Sequence, residues 1–310
     1  MYEHISSNKI RSALLILSYF VFVTLVMAAF AAALSYYYDL GGGVLICFLI
    51  LALIVSLLST FVSYYNSDKI VLAISRARPV SRDDMPQLYY AVEGLSIAAG
   101  VPMPKIYLID DSAPNAFATG RNPQNSVIAV TTGMLDKLNE QELKGVIGHE
   151  LSHIRNYDIR LGTLLVVMSG IVILVSDWVL RFFWFGPRRR RSSSNGSGLF
   201  AIFLILFALV LAVAAPLFAT IIKLAISRRR EFLADADGSL ITRYPPGLAS
   251  ALRKISADTE PLEVANKATA HLYIANPLKD ERGPLNNLFD THPAVEERIS
   301  RLEEMSLGIQ

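Results

Sequence analysis

The sequence predicts a membrane α+β protein, with four transmembrane helices and a mainly helical cytoplasmic domain that contains a small β-sheet. The prediction rests on composition, on long charge-free runs that come in two pairs, and on polar segments with mixed strand and helix patterns. Of 310 residues, 53% are apolar and only 18% charged, and mean hydropathy is +0.40. That is a membrane protein's balance. The net charge of +2 is too small to imply a nucleic-acid partner.

Residues 12–38 and 40–67 carry no charged side chain, and each exceeds the ~20 apolar residues that a helical crossing needs. The Ala-rich stretch 28–33 resembles a signal-peptide cleavage site. The run around it is much longer than the about 7–15 residues of a signal core and a second run comes at once, so it reads as an uncleaved anchor. Lys9 and Arg11 precede this pair, and Lys69, Arg76, Arg78 and Arg82 come after it, while Ser35–Gly43 holds Asp39 and no basic residue. The positive-inside rule then puts both ends of the hairpin in the cytoplasm. Cys47, the single cysteine, lies in the second run and leaves no intramolecular disulfide.

Beyond residue 68 the chain turns polar. Ser81 with Asp84 reads as a capping box opening a helix through Ala99, which Gly100 and Pro102 end. Lys105–Asp110, Asn115–Thr119 and Ser126–Thr131 read as short strands between Pro- and Asn-bearing turns. The second pair of apolar runs is Leu161–Leu180, interrupted only by Asp177, and Leu199–Ile222. Between them, Phe185–Gly198 holds Arg188–Arg191 and a Ser/Gly-rich stretch, a loop suited to anionic lipid headgroups. Asn276–Asn287 also reads as a loop. Thr291-His292-Pro293 reads as a helix start, with Pro at the first helical position and Val295, Ile299 and Leu302 on one face. The expected organisation is a transmembrane hairpin over 1–67, a first half-domain over 68–160, a second hairpin over 161–222 and a second half-domain over 223–310.

His149-Glu150-Leu151-Ser152-His153 carries the chemistry. Residues four apart on a helix lie about 40° apart around its axis, so His149 and His153 can share one metal ion and Glu150 can reach a water on it. This is the arrangement of a zinc hydrolase, two imidazole ligands with a general base. The chain has only five histidines, and two fall at this spacing. The flanks agree with a helix: Asn139 and Glu142 form an N-cap pair, and Leu143, Val146, Ile147, Leu151 and Ile154 an apolar face. Zinc needs a third protein ligand that leaves one position for water. Glu231 and Asp235, four apart beyond the fourth apolar run, are the candidates, and spacing leaves the choice between them open.

His-Glu-Leu-Ser-His-Ile-Arg-Asn at 149–156, with Ser-Arg-Arg-Arg-Glu-Phe-Leu-Ala-Asp at 227–235, resembles the HtpX-type membrane zinc proteases. These belong to the gluzincin group, which also includes the CAAX prenyl protease type 1 enzymes. Asn115–Gly120 and Asp290–Pro293 match further family segments in the same order, so the resemblance covers nearly the whole chain. It implies a zincin-like domain with one Zn2+ per chain, held by His149, His153 and Glu231. Glu150 would be the general base, and Asp235 would accept a hydrogen bond from a ligand histidine. Asn115, Ala116 and Phe117 would lie on an edge strand that pairs with an extended substrate, and His292 would donate to the developing oxyanion. His271 reads as structural and His4 as a solvated tail residue.

The resemblance further implies stress-response quality control at the bacterial inner membrane. Misfolded membrane proteins would be cut on the cytoplasmic side, with membrane lipids as the other partner. Prenylated CAAX-type substrates are the alternative within the same chemistry. A site-two-type intramembrane protease, to which Asp237-Gly238 would otherwise point, buries its motif in a hydrophobic helix, whereas Asp136–Glu142 is polar here. A non-enzymatic zinc scaffold favours four filled positions with cysteine prominent, and Cys47 lies in a membrane run. One tension remains in the topology. If 149 and 231 meet at one ion and both later runs cross, Arg181 and Arg188–Arg191 lie outside, against the positive-inside rule. Asp177 also weakens the third run as a spanner. Run length favours full crossing over a re-entrant hairpin.

Overall fold

A computed structural model describes residues 2–37, 39–168, 170, 228–266, 269–279 and 293–308. The described residues are mostly helical, with one small mixed sheet. The chain divides into two compact units, one of residues 11–65 and 168–223, the other of residues 1–10, 66–167 and 224–310.

Among the described residues, two segments are long and apolar enough to cross a membrane, Ile5–Ala29 and Gly42–Tyr65, in helices α1 (Tyr2–Tyr37) and α2 (Gly42–Tyr65). At ~1.5 Å per residue, the 24 residues of α2 reach about 36 Å, enough for the ~30 Å hydrocarbon core. Leu49, Ile50, Leu53, Ile54, Leu57, Leu58 and Phe61 stand exposed, an apolar surface that water does not tolerate at this extent. The face that α2 buries is made of small residues four apart, Ala52, Ser56 and Thr60, which allow helices to approach closely. The Ser56 and Thr60 hydroxyls donate to the carbonyls one turn back, those of Ala52 and Ser56, so no polar group is stranded. Tyr19 of α1 hydrogen-bonds Ser59 and Ser63 of α2. The fourth apolar run, most of the third with Asp177, and the loop Phe185–Gly198 lie outside the described residues.

The other unit is built on a four-stranded sheet in the order β1-β2-β4-β3, with β1 (Arg78–Pro79), β2 (Lys105–Ile109), β3 (Ala116–Asn122) and β4 (Asn125–Thr131). β2 and β4 run parallel and the other pairs antiparallel. β3 is therefore an edge strand. It runs past the expected Thr119 because Gly120, at φ 140, continues into the hairpin; a Cβ there would lie 2.3 Å from the Asn125 carbonyl oxygen, so a side chain has no room.

Helices α3 (Ser67–Ile74), α4 (Pro86–Ala99), α5 (Thr132–Lys137), α6 (Glu140–Arg155), α7 (Arg228–Thr242), α8 (Pro245–Ala257) and α9 (Val295–Ser306) complete the described elements of the unit, together with a 3-10 turn at Ala270–Leu272 and helical residues 158–167. Two expected helix starts are corrected. The Ser81 N–H and hydroxyl both donate to Asp84, at 2.8 and 2.6 Å, closing a separate turn. The helix begins at Pro86, whose missing N–H costs nothing in a first turn. Likewise α9 begins at Val295 rather than Pro293, because Ala294 stays extended at ψ 132 as the cap. Gly100 ends α4 in the left-handed conformation, as expected.

The apolar face of α6 is in the core: Val146, Ile147, Leu151 and Ile154 are fully buried and Leu143 nearly so, packed with α4, α8 and the sheet. The opening of the third apolar run also packs inside this unit. Leu161 and residues 164–167 are buried, and Thr163 hydrogen-bonds the Thr119 hydroxyl at 2.8 Å and the Gly120 N–H at 3.2 Å on β3.

Candidate metal centre

The metal motif sits on α6, whose start is fixed by a full capping box. Asn139 accepts from the Gln141 and Glu142 N–H groups at 3.0 Å, and Glu142 accepts from the Asn139 N–H at 2.8 Å. Two glycines then bring neighbouring helices to backbone contact with α6. A Cβ on Gly145 would lie 2.6 Å from the Leu248 nitrogen of α8, and one on Gly148 would lie 3.0 Å from the Gly238 oxygen of α7. α7 thereby reaches α6 closely enough to present Glu231 and Asp235 to the histidines.

His149 Nε2 and His153 Nε2 lie 3.1 Å apart. Glu231 spans them, with Oε2 3.7 Å from His149 Nε2 and Oε1 3.7 Å from His153 Nε2. Zinc bonded at about 2.0–2.1 Å in tetrahedral geometry separates two ligand nitrogens by about 3.3 Å. The three donors fit that spacing, and they form the one such metal-capable group among the described residues. Both Nδ1 atoms are engaged with carboxylates: His149 with Asp235 at 2.9 Å and His153 with Asp158 at 3.0 Å. Each Nε2 is thus the ring atom turned toward the shared point. Burial works against charge on His153, but Asp158 and Glu231 outweigh it and push its pKa up to about 9. The carboxylates that draw a proton there also draw a metal cation, since the two compete for the same nitrogen. Burial drives His149 the other way, down to about 4, so it stays a neutral donor.

Glu150 is buried beside β3. The Ala118 N–H, which faces outward from the sheet, hydrogen-bonds its carboxylate. Burial lifts its pKa to about 7, with Glu231 adding repulsion and His153 opposing. A carboxyl poised there can both take and return a proton near neutral pH.

Residues 81–306 match Peptidase family M48. The chain belongs to the M48 peptidases. Protease HtpX homologues resemble it over nearly its full length. That of Dictyoglomus thermophilum is 45% identical across 98% of this chain and 94% of its own, and that of Streptococcus gordonii 40% identical across 98% and 100%. The solved structure of S. mikatae Ste24p is similar at a TM-score of 0.48 and 17% identity, covering 98% of this chain and 67% of that one. The protein is a membrane-bound metalloprotease.

Several residues of this M48 peptidase that shape the centre escaped sequence reasoning. Arg298 of α9 is buried and grips Asp235 in two-pronged fashion, at 2.8 and 2.7 Å, while a third nitrogen donates to the Ile274 carbonyl at 3.0 Å. Burial opposes the charge on both partners, and their mutual attraction keeps Asp235 below and Arg298 above its ordinary pKa. The available signal was an arginine between Val295 and Leu302, on the helix face otherwise reserved for the core. Asp158 lies just past the metal helix with no pattern to mark it.

The expected substrate strand is only partly open. The Ile274 N–H donates to the Ala116 carbonyl at 3.0 Å, Tyr273 bridges Phe117, and Asn115 donates to the Ala275 carbonyl at 3.2 Å. Asp237 accepts from Asn156, the cap of α6, at 3.0 Å and from Ser152 of α6 at 3.4 Å, apart from the metal group. His271 meets the Gly162 carbonyl at 3.1 Å. His292 and the side chain of His4 lie outside the described residues.

Proposed function

We propose that this M48 peptidase is a zinc-dependent endopeptidase that cuts misfolded or damaged membrane proteins. It would act at the cytoplasmic face of the bacterial cytoplasmic (inner) membrane, with both chain termini on that side. The observation that carries the reading is the convergence of His149, His153 and Glu231, at nitrogen and oxygen spacings that suit zinc, beside the buried carboxyl of Glu150.

Zinc held there would acidify a water and polarise the scissile carbonyl. Glu150 accepts the water's proton and returns it to the leaving amine, for which a carboxyl held near neutrality is suited. Asp235 and Asp158 hold the two imidazoles with Nε2 facing inward. An extended substrate pairs with the outer edge of β3 around Ala116 and Phe117, taking the place of the hydrogen bond from Ile274. Asn115, which ties to Ala275, sets where that edge opens, and His292 supports the oxyanion. The exposed apolar face of α2 supports membrane lipids as the protein's permanent neighbours.

The test is cleavage of an unfolded test protein by the purified, metal-depleted enzyme, with and without added Zn2+. Zinc-restored cleavage that a Glu150→Gln variant lacks supports the reading. Cleavage indifferent to both would overturn it. Proteins that accumulate on the Glu150→Gln variant in cells identify the substrates, and a set without membrane proteins would reject that part. Enrichment of prenylated proteins would point to the CAAX-type alternative.

A further inference from the structure

The chain leaves the metal helix through a tight corner. Asn156 caps α6, Tyr157 adopts the left-handed conformation at φ 61, and helical structure resumes at residue 158. A non-glycine residue at positive φ is costly and persists only where its surroundings hold it, often beside functional groups. The corner turns Asp158 back toward the end of α6, where its Oδ2 meets His153 Nδ1 at 3.0 Å.

Asn8 of α1, at the opposite end of the sequence, closes on that corner. Its side-chain nitrogen donates to the Asn156 carbonyl at 2.9 Å and to Asp158 Oδ1 at 2.7 Å. Both partners are acceptors, so the orientation of the amide is fixed by its surroundings and both of its N–H groups are used. The first bond satisfies a carbonyl at the end of the metal helix. The second ties down the carboxylate oxygen that His153 does not use. Arg230 Nη1 approaches the same oxygen at 3.6 Å. Asn8 is only 3% exposed, which is unusual for an asparagine four residues before a charge-free apolar run begins.

We propose that Asn8 is a positioning residue of the metal centre: by holding Asp158, it sets the direction in which His153 presents Nε2. A carboxylate with one free oxygen can rotate about its last side-chain bond, and the imidazole bonded to it moves with it. Asn8, with a direct hydrogen bond at 2.7 Å where Arg230 stands 3.6 Å away, restricts that freedom. One ligand of the site is thus set from α1, the helix that contains the first membrane-length segment, while the other histidine is set from α9 through Arg298 and Asp235. The inference rests on the reading of His149, His153 and Glu231 as metal ligands.

The experiment uses the full-length protein in detergent, stripped of metal and titrated with Zn2+, and separately with Co2+, whose visible spectrum reports ligand geometry. Asn8→Ala should weaken Zn2+ binding by up to about 10-fold, the lower end of the range for losing a group that hydrogen-bonds a ligand directly, as Asp158 does, and should alter the Co2+ spectrum. Asp158→Ala should do the same, and the double variant should be no worse than Asp158→Ala alone, because Asn8 acts through Asp158. Lys9→Ala is the control for helix docking. Its ammonium lies over the Tyr157 ring at 4.6 Å without touching Asp158, and metal binding should stay as in the wild type.

Wild-type Zn2+ affinity and Co2+ spectrum in Asn8→Ala would overturn the proposal, even if its melting temperature fell. So would strict additivity of the two substitutions, or an equal loss in Lys9→Ala. A wild-type protein that binds no Zn2+ would instead overturn the metal-site reading and this inference with it.

Discussion

Gly148 of α6 and Gly238 of α7 leave no space for a side chain between them. A Cβ on Gly238 would lie 2.8 Å from the His149 backbone nitrogen and 3.0 Å from the Gly148 carbonyl carbon. Glu231, Asp235 and Gly238 share one face of α7, spaced four and three residues apart, so this contact sets how far the carboxylates reach toward the histidines. Gly238→Ala should push α7 outward. The expected cost is about 1–3 kcal/mol of stability, as for overpacking a core, together with weakened zinc retention. Melting temperature and zinc content check both. Full zinc occupancy at wild-type affinity would show that the site tolerates a wider helix spacing than the glycine contact allows.

Glu150→Gln keeps the ligands and removes the proton carrier. Hydrolysis should fall by about 10²–10⁴-fold, while zinc content stays at wild-type level because Glu150 stands apart from the ligand group. Activity near wild type would remove Glu150 from the chemistry.

Glu231→Ala and Asp235→Ala should separate a ligand from its neighbour's support. The first should lose metal. The second should keep it with about 10–100-fold weaker affinity, since Asp235 touches His149 only through Nδ1. It should also cost stability, because Arg298 is left as a buried charge without its partner, a loss of about 3–5 kcal/mol in comparable cases. Metal analysis of the purified variants decides; a metal-free Asp235→Ala beside a zinc-replete Glu231→Ala would exchange the two roles.

Glu142 ties the cap of the metal helix to α8, accepting from Ser250 at 2.6 Å and Lys254 at 2.7 Å. Burial opposes its charge, but these partners and the Asn139 N–H hold its pKa below the ordinary 4.5. A lowered carboxylate pKa contributes stability that is present above the ordinary value and is lost as pH falls through the lowered one. Glu142→Gln should therefore melt lower than wild type at pH 7, by the equivalent of about 1–2 kcal/mol, and the gap should narrow below about pH 4. A gap that widens on acidification would contradict the sign.

The loop between the third and fourth apolar runs should lie on the non-cytoplasmic side of the membrane if both runs cross. A cysteine placed at Ser193 in a Cys47→Ser background reports this directly. Labelling by an impermeant thiol reagent on intact spheroplasts is expected. Labelling only after the membrane is opened would mean a re-entrant pair, as Arg188–Arg191 and the positive-inside rule suggest.

Much of the fold was legible because local patterns and local chemistry coincide. The capping box at Asn139 and the buried face Leu143–Ile154 came from spacing alone, and both stand in the structure. Ser81–Asp84 shows the limit of such reading. Its residues satisfy the same signature, yet they close a turn and leave the helix start to Pro86. A cap motif offers hydrogen bonds without forcing the next residues into a helix.

By itself, the sequence determined the pair of imidazoles one helical turn apart, the carboxylate beside them and the long apolar runs, since each depends only on residues near one another along the chain. Tertiary structure decided which distant side chains hold those imidazoles. Asn8, Asp158, Asp235 and Arg298 come from four separate helical stretches and meet His149 or His153, directly or through one another, only once the chain has folded. Arg298 can be buried because Asp235 neutralises it, and Gly238 can lie against the metal helix because neither glycine has a side chain. Complementarity of that kind exists between elements, and no spacing along the chain encodes it.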